Sequence, residues 1–234
     1  MTSFSRLRLL LVFGAAAFVT TPQAFATAEM ILSDGAGHTA DILATSCGPG
    51  CQIASFNGAL GDWNINTTTG TATPGASPII DLDSLNHHNA SSTSTTLTIE
   101  WSDNGFTPAV PGFEMNVGGT VGPHGTVTAA LYGGTSDTKF DLSNQIGTTL
   151  SFTNPPVSFS ATEDAYLGSL SLNTYSLTEV ATLTFGTSAG QASFDYSVDT
   201  IPEPAAVLLL GSAILLTVGA MRRAGVGGVD RKNS

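Results

Sequence analysis

The sequence predicts an all-β protein: an antiparallel β-sandwich, jelly-roll-like or immunoglobulin-like, set between two segments that serve export. Three observations carry this. In the middle of the chain apolar and polar residues alternate with period two, the mark of a half-buried strand. The alternating runs are short and separated by clusters rich in Gly, Asn and Asp, which are turn signals. No long stretch follows the 3.6-residue period of an amphipathic helix. A sandwich buries one face of each sheet, so large apolar side chains take every second position. A β-helix, the competing architecture, would need a fixed repeat period, and the sequence has none.

Taken in order, Met30–Leu32 and Thr39–Ala44 are short strands on either side of Ser33-Asp34-Gly35-Ala36-Gly37. Gln52–Phe56 and Trp63–Asn66 flank a turn at Asn57–Gly61, and Thr67–Pro78 reads as a Thr/Pro/Gly loop. Ile80 and Leu82 face one way, with Asp81 and Asp83 on the other side. Leu85–Thr95 is polar and reads as loop. Leu97, Ile99 and Trp101 alternate with Thr98 and Glu100; Asp103-Asn104-Gly105 then reads as a turn. Phe113, Met115 and Val117 alternate with Glu114 and Asn116, and Val127, Ala129 and Leu131 with Thr126 and Thr128. Gly118-Gly119 and Gly133-Gly134 punctuate these runs. Leu150 and Phe152 precede Asn154-Pro155-Pro156, and Val157, Phe159 and Ala161 follow. Tyr175, Leu177, Ala181, Leu183 and Phe185 share one parity, and a β-bulge at Glu179-Val180 would put both residues on sensible faces. Phe194, Tyr196 and Val198 form the last strand, which runs into Pro202.

The two ends read differently. Arg6 and Arg8 precede an apolar stretch, Leu9–Val19, and then Ala24-Phe25-Ala26, which is the pattern of a signal peptide over residues 1–26 with cleavage after Ala26. Ala26-Thr27-Ala28 offers a second cleavage point. At the other end, Pro202-Glu203-Pro204 leads into seventeen uncharged residues, Ala205–Met221, followed by Arg222-Arg223. As a helix this run is roughly 25 Å long, near the lower limit for crossing a bilayer. The arginines would hold the C-terminus in the cytoplasm. Residues 27–199 remain as the exported domain, 200–223 as the terminal signal and 224–234 as a short cytoplasmic tail.

The order Pro-Glu-Pro, apolar run with Leu208-Leu209-Leu210-Gly211, basic pair resembles the PEP-CTERM sorting signal of Gram-negative bacteria. The likeness covers roughly residues 201–223. It implies an exosortase-type membrane protease acting near Pro202, Glu203 and Pro204 on a precursor delivered to the inner membrane by the secretion machinery. The destination it implies is the cell surface or an exopolysaccharide matrix. Leu97–Phe106 and Tyr175–Val180 are similar to segments of many such proteins, and the likeness implies no catalytic activity. The leading expectation is therefore a non-enzymatic surface or matrix protein; the alternative is a secreted carbohydrate-binding or carbohydrate-active protein on the same route.

Between Thr27 and Ile201 there are sixteen acidic residues and one base, Lys139, a formal charge of −15. Such a body repels phosphate backbones, so nucleic acid is excluded as a partner. Cys47 and Cys51 flank Gly48-Pro49-Gly50 and suit a disulfide in an oxidising compartment. The chemistry-bearing patterns are otherwise thin. Gly186-Thr187-Ser188-Ala189-Gly190 matches a nucleophile elbow, but strand precedes strand there and His38, His87, His88 and His124 all lie upstream of it. His87-His88 reads as an exposed loop pair. Asp81 and Asp83 fit a calcium loop, but Leu85 breaks the series. Glu163-Asp164 are sequence neighbours, which gives no pair facing across a cleft. No catalytic residue, metal ligand or cofactor is expected.

Overall fold

The computed structural model describes residues 27–73, 79–88, 93–107, 112–154, 157–166 and 174–201. The signal peptide, with Ala24 and Ala26, lies outside the described residues. So do Pro202, Glu203 and Pro204, the run 205–221, and Arg222 and Arg223. No helix among the described residues is long and apolar enough to cross a membrane.

The described residues form thirteen strands. They are β1 (Glu29–Ser33), β2 (Thr39–Leu43), β3 (Thr45–Gly48), β4 (Cys51–Leu60), β5 (Trp63–Thr73), β6 (Ile79–His88) and β7 (Thr95–Phe106). The rest are β8 (Gly112–Val121), β9 (Gly125–Gly134), β10 (Gln145–Thr153), β11 (Ser158–Tyr166), β12 (Tyr175–Phe185) and β13 (Gly190–Thr200). A six-stranded sheet runs β10-β9-β12-β7-β1-β2, and a seven-stranded sheet runs β11-β8-β13-β6-β5-β4-β3. All the pairings are antiparallel. After the β4-β5-β6 meander the chain crosses between sheets at nearly every step, with β9–β10 as the one later hairpin.

The inner faces meet in a single core. Trp63, Trp101, Tyr175, Tyr196, Phe106, Phe113 and Phe185 are its largest fully buried side chains. Phe106 stacks on Tyr175 with ring centroids 5.8 Å apart, and Phe113 meets the same ring edge-on at 6.4 Å. These contacts tie β7 and β12 of one sheet to β8 of the other. Trp101 crosses from β7 to the opposite sheet, where its Nε1–H donates to the Thr71 carbonyl at 2.9 Å.

That indole explains the segment read as a loop from Thr67. Residues 67–73 continue β5, and the inward positions Thr68, Gly70 and Ala72 are small. A Cβ on Gly70 would lie 2.4 Å from Trp101 Cδ2. Large apolar residues, the usual strand signal, are missing here because the partner sheet fills the space. Other expectations change too. The β4–β5 turn is Gly61-Asp62, and Asn57-Gly58 sit inside β4 at a register shift. Leu85–His88 extend β6, Gly118-Gly119 lie within β8, and Asp103-Asn104-Gly105 belong to β7. The bulge expected at Glu179-Val180 is absent. Register with β7 and β9 is continuous there, and the shift falls between Tyr175 and Leu177. Glu179 therefore points into the core.

Two details fix the ends of the sandwich. At one end the β1–β2 turn locks onto the β4–β5 turn. Asp34 Oδ1 accepts the N–H groups of Ala36 and His38, and Asp34 Oδ2 meets His38 Nδ1 at 2.5 Å. Gly61 packs so closely on this pair that a Cβ would lie 2.0 Å from Asp34 Oδ2. At the other end the β9–β10 connection, residues 135–144, is strapped across β7 and β12. Asn104 Nδ2 donates to the Asp137 carbonyl, Gly105 N–H to Asp137 Oδ1, Phe140 N–H to Ser102 Oγ, and Ser176 Oγ to the Thr138 carbonyl. Lys139 closes the strap with its ammonium on Glu29 and on the Thr27 carbonyl. Cys47 and Cys51 are disulfide-bonded across the β3–β4 turn at the edge of the larger sheet.

Candidate functional site

The outer face of the seven-stranded sheet is the most distinctive polar surface. Strand alternation builds it from register rows. Asp164, Glu114 and Asp199 are opposite one another on β11, β8 and β13. The next row is Thr162, Asn116, Ser197, Asp81 and Thr71. A third is Ser160, Gly118, Asp195, Asp83, Thr69 and Ser55. Hydroxyl and amide groups link neighbours: Thr162 Oγ1 donates to Asn116 Oδ1 at 2.7 Å, and Thr120 and Ser193 hydroxyls meet at 2.8 Å. No lysine or arginine occurs in any of these strands.

Carboxylates directly opposite one another repel. In the middle of the face Asp81, Asp83 and Asp195 each place a carboxylate oxygen within 4.8 Å of the others. Partial burial raises the Asp81 carboxyl to about 6, helped by the charges of Asp83 and Asp195 and opposed by a weak bond from Thr71. Burial and then Asp195 also raise Asp83. The three carboxylates could each give a divalent cation one or two oxygens, with water completing its shell. Asp81 and Asp83 were singled out from sequence; Asp195 was missed. Its signal was its outward parity beside Phe194 and Tyr196.

A second set of acids is internal. Glu179 is wholly buried and its two oxygens have no hydrogen-bond partner among the described residues. Burial, then the charges of Asp81 and Asp195, hold its carboxyl well above the usual range. Tyr196, also wholly buried, feels Glu179 as its main charged neighbour, and its phenol is likewise raised, chiefly by burial. Asp103 is buried at the strap and raised to about 7 by burial, against a backbone N–H from Asn104.

The remaining motif residues are structural. Gly186–Ala189 connect β12 to β13, strand to strand. His87 and His88 are not in a loop but at consecutive positions of β6, opposite Gln191 and Gly190. The apolar residues around them are too few to mark a strand. Glu163 does not face Asp164. It accepts Thr148 N–H at 2.8 Å and Thr148 Oγ1 at 2.7 Å, tying β11 to β10. Trp63 and Trp101 are both core residues, so neither offers a stacking surface for a sugar.

No family model and no curated protein matches the chain. Solved structures do resemble it. One is TmCBM61 in complex with beta-1,4-galactotriose, at 6% identity over 62% of this chain and 92% of that one, with a TM-score of 0.35. Another comes from work on carbohydrate-binding modules of the beta-sandwich superfamily, at 12% identity over 74% of this chain and 84% of that one, with a TM-score of 0.31. Scores this low mark a likeness in the general arrangement of strands, and what those modules bind is said of them alone.

Proposed function

We propose that this chain is a non-enzymatic exported protein of the cell surface or extracellular matrix. It is held first in the inner membrane by Ala205–Met221 and then processed near Pro202-Glu203-Pro204 by an exosortase-type protease. The observation that carries the reading is where the folded body closes. The last strand ends at Thr200, and Ile201 N–H donates to the Gly112 carbonyl. The sorting tripeptide starts at the next residue. Removal of everything past Pro202 would leave all thirteen strands of the described residues in place. The test is cell fractionation with mass determination, in cells with and without the sorting protease. Mature protein truncated near Pro204, and full-length protein accumulating in the membrane without the protease, is the expected result. Intact Arg222-Arg223 peptides in the mature pool would make it a permanent anchor instead.

A second reading, recognition of a polysaccharide, is favoured by the face of Thr, Ser, Asn and carboxylate rows. It offers donors and acceptors suited to sugar hydroxyls and carries no lysine or arginine. Retardation in gels cast with neutral polysaccharides tests it. Binding that disappears in N116A/T162A protein supports it, and unchanged mobility across a polysaccharide panel removes it.

A further inference from the structure

The exposed large apolar side chains are unevenly distributed. Among the described residues they are Tyr166 (69% exposed), Leu43 (64%), Val157 (60%), Ile79 (44%) and Leu142 (41%). Register places four of the five at one end. Leu43 pairs with Glu29, the first residue of β1. Ile79 starts β6 and pairs with Thr73, the last residue of β5. Tyr166 ends β11 opposite Gly112, the residue whose carbonyl receives Ile201 N–H. Leu142 lies in the strap between the end of β9 and the start of β10. Contacts from Gly147 and Thr148 on β10 to Glu163 and Ala165 on β11 show that these strand ends belong to the same end of the sandwich. Val157, the exception, is at the opposite end, where its carbonyl accepts Val121 N–H.

The same end is where the chain enters and leaves. Thr27 is there, held by Lys139, and so is Ile201. Four residues on, at Ala205, the uncharged run begins. Extended chain covers at most about 14 Å over that distance. If the run is in a bilayer, this end of the sandwich stands within reach of the lipid surface.

We propose that, in the membrane-held precursor, this end rests on the bilayer, with Leu43, Ile79, Leu142 and Tyr166 dipping into the headgroup region. The proposal rests on the anchored precursor described above. The four side chains come from different elements across a body six or seven strands wide, roughly 30 Å at about 4.8 Å per strand. An extended partner surface suits that spread. Amphipathic tyrosine favours the interfacial zone. The carboxylates nearby, Glu29, Asp41, Glu114, Asp164 and Asp199, select for lipid without net negative charge. Docking would present the opposite end, with the Asp34–His38 and Gly61 turns, to the medium.

The test uses the full chain in phosphatidylcholine vesicles, with an environment-sensitive fluorophore on one introduced cysteine. Leu43→Cys, Ile79→Cys and Tyr166→Cys probe the docking end and Val157→Cys the far end. All four sites are exposed, so the fold should tolerate them, and the native cysteines are held in a disulfide. Brominated lipid should quench the three docking-end labels several-fold more than the label at 157. Protein that floats with vesicles but shows equal or no quenching at all four positions overturns the docking while sparing the anchor. Protein that does not float overturns the anchored precursor, and the docking with it.

Discussion

Glu179 and Gly70 show how one residue can oppose or serve the fold. Glu179 occupies an inward position in a strand whose other inward residues are apolar. Folding carries this carboxyl into the core with no hydrogen-bond partner among the described residues, so it holds its proton more tightly folded than unfolded. Its raised value destabilises the fold above the unfolded pKa and not below it. Glu179→Gln should therefore raise the melting temperature at pH 8 and change it little at pH 4; an equal effect at both would show that charge is not the cause. Gly70 is the reverse case, a position where the smallest residue is needed. Gly70→Val should drive the side chain into Trp101 and lower stability by about 1–3 kcal/mol, read from urea unfolding. The sequence displayed neither role. Glu179 broke a parity and invited a bulge, and Gly70 sat in a Thr-rich run with no large apolar residue. In both, the deciding partner is on the other sheet.

Among the elements, the strap over residues 135–144 depends most on one side chain. Lys139 reaches Glu29 and the Thr27 carbonyl, and its ammonium lowers the Glu29 carboxyl while Glu29 in turn raises Asp41. Both members of the ion pair are about four-fifths shielded. Lys139→Met leaves two neighbouring carboxyls without their cation. It should cost about 1–3 kcal/mol and speed amide exchange at Asp137–Phe140 before any exchange in β12. Uniform acceleration across both sheets would mean that the strap is not a separate unit. Strands with large alternating side chains, such as β7, β8, β9, β12 and β13, were legible from period two alone. Those built on small or polar inward residues were not. The latter half of β5 and the end of β6 were read as loops because Thr68, Ser84 and Asn86 are inside. These three satisfy one another, with Thr68 and Ser84 hydroxyls 2.6 Å apart and Asn86 bonded to Ser84. The candidate face was half visible: Asp81 and Asp83 stood out, and Asp195 needed the β6–β13 pairing to join them.

For the molecule as a whole, acid titration should run opposite to the common trend over part of its range. Asp81 at about 6, Asp103 at about 7 and Glu179, held well above the usual carboxylate range, all bind protons more tightly folded than unfolded. Each destabilises the fold fully above its folded value, and that penalty fades as pH falls toward the ordinary carboxylate range. Glu29, Asp34 and Asp141 are lowered, so what they contribute is lost only under stronger acid. Melting temperature should therefore rise from pH 8 to about pH 5 and fall again below about pH 4. Asp103→Asn should flatten the upper part of that rise, and a monotonic loss of stability on acidification would refute the account.

The sparseness of bases has a consequence for endurance outside the cell. Trypsin-like proteases cut only after lysine or arginine, and between Thr27 and Ile201 the one such bond is Lys139–Phe140. Its lysine is clamped by Glu29 and its amide hydrogen is given to Ser102. To an entire class of digestive enzymes, the folded body has a single seam, and that seam is stitched shut.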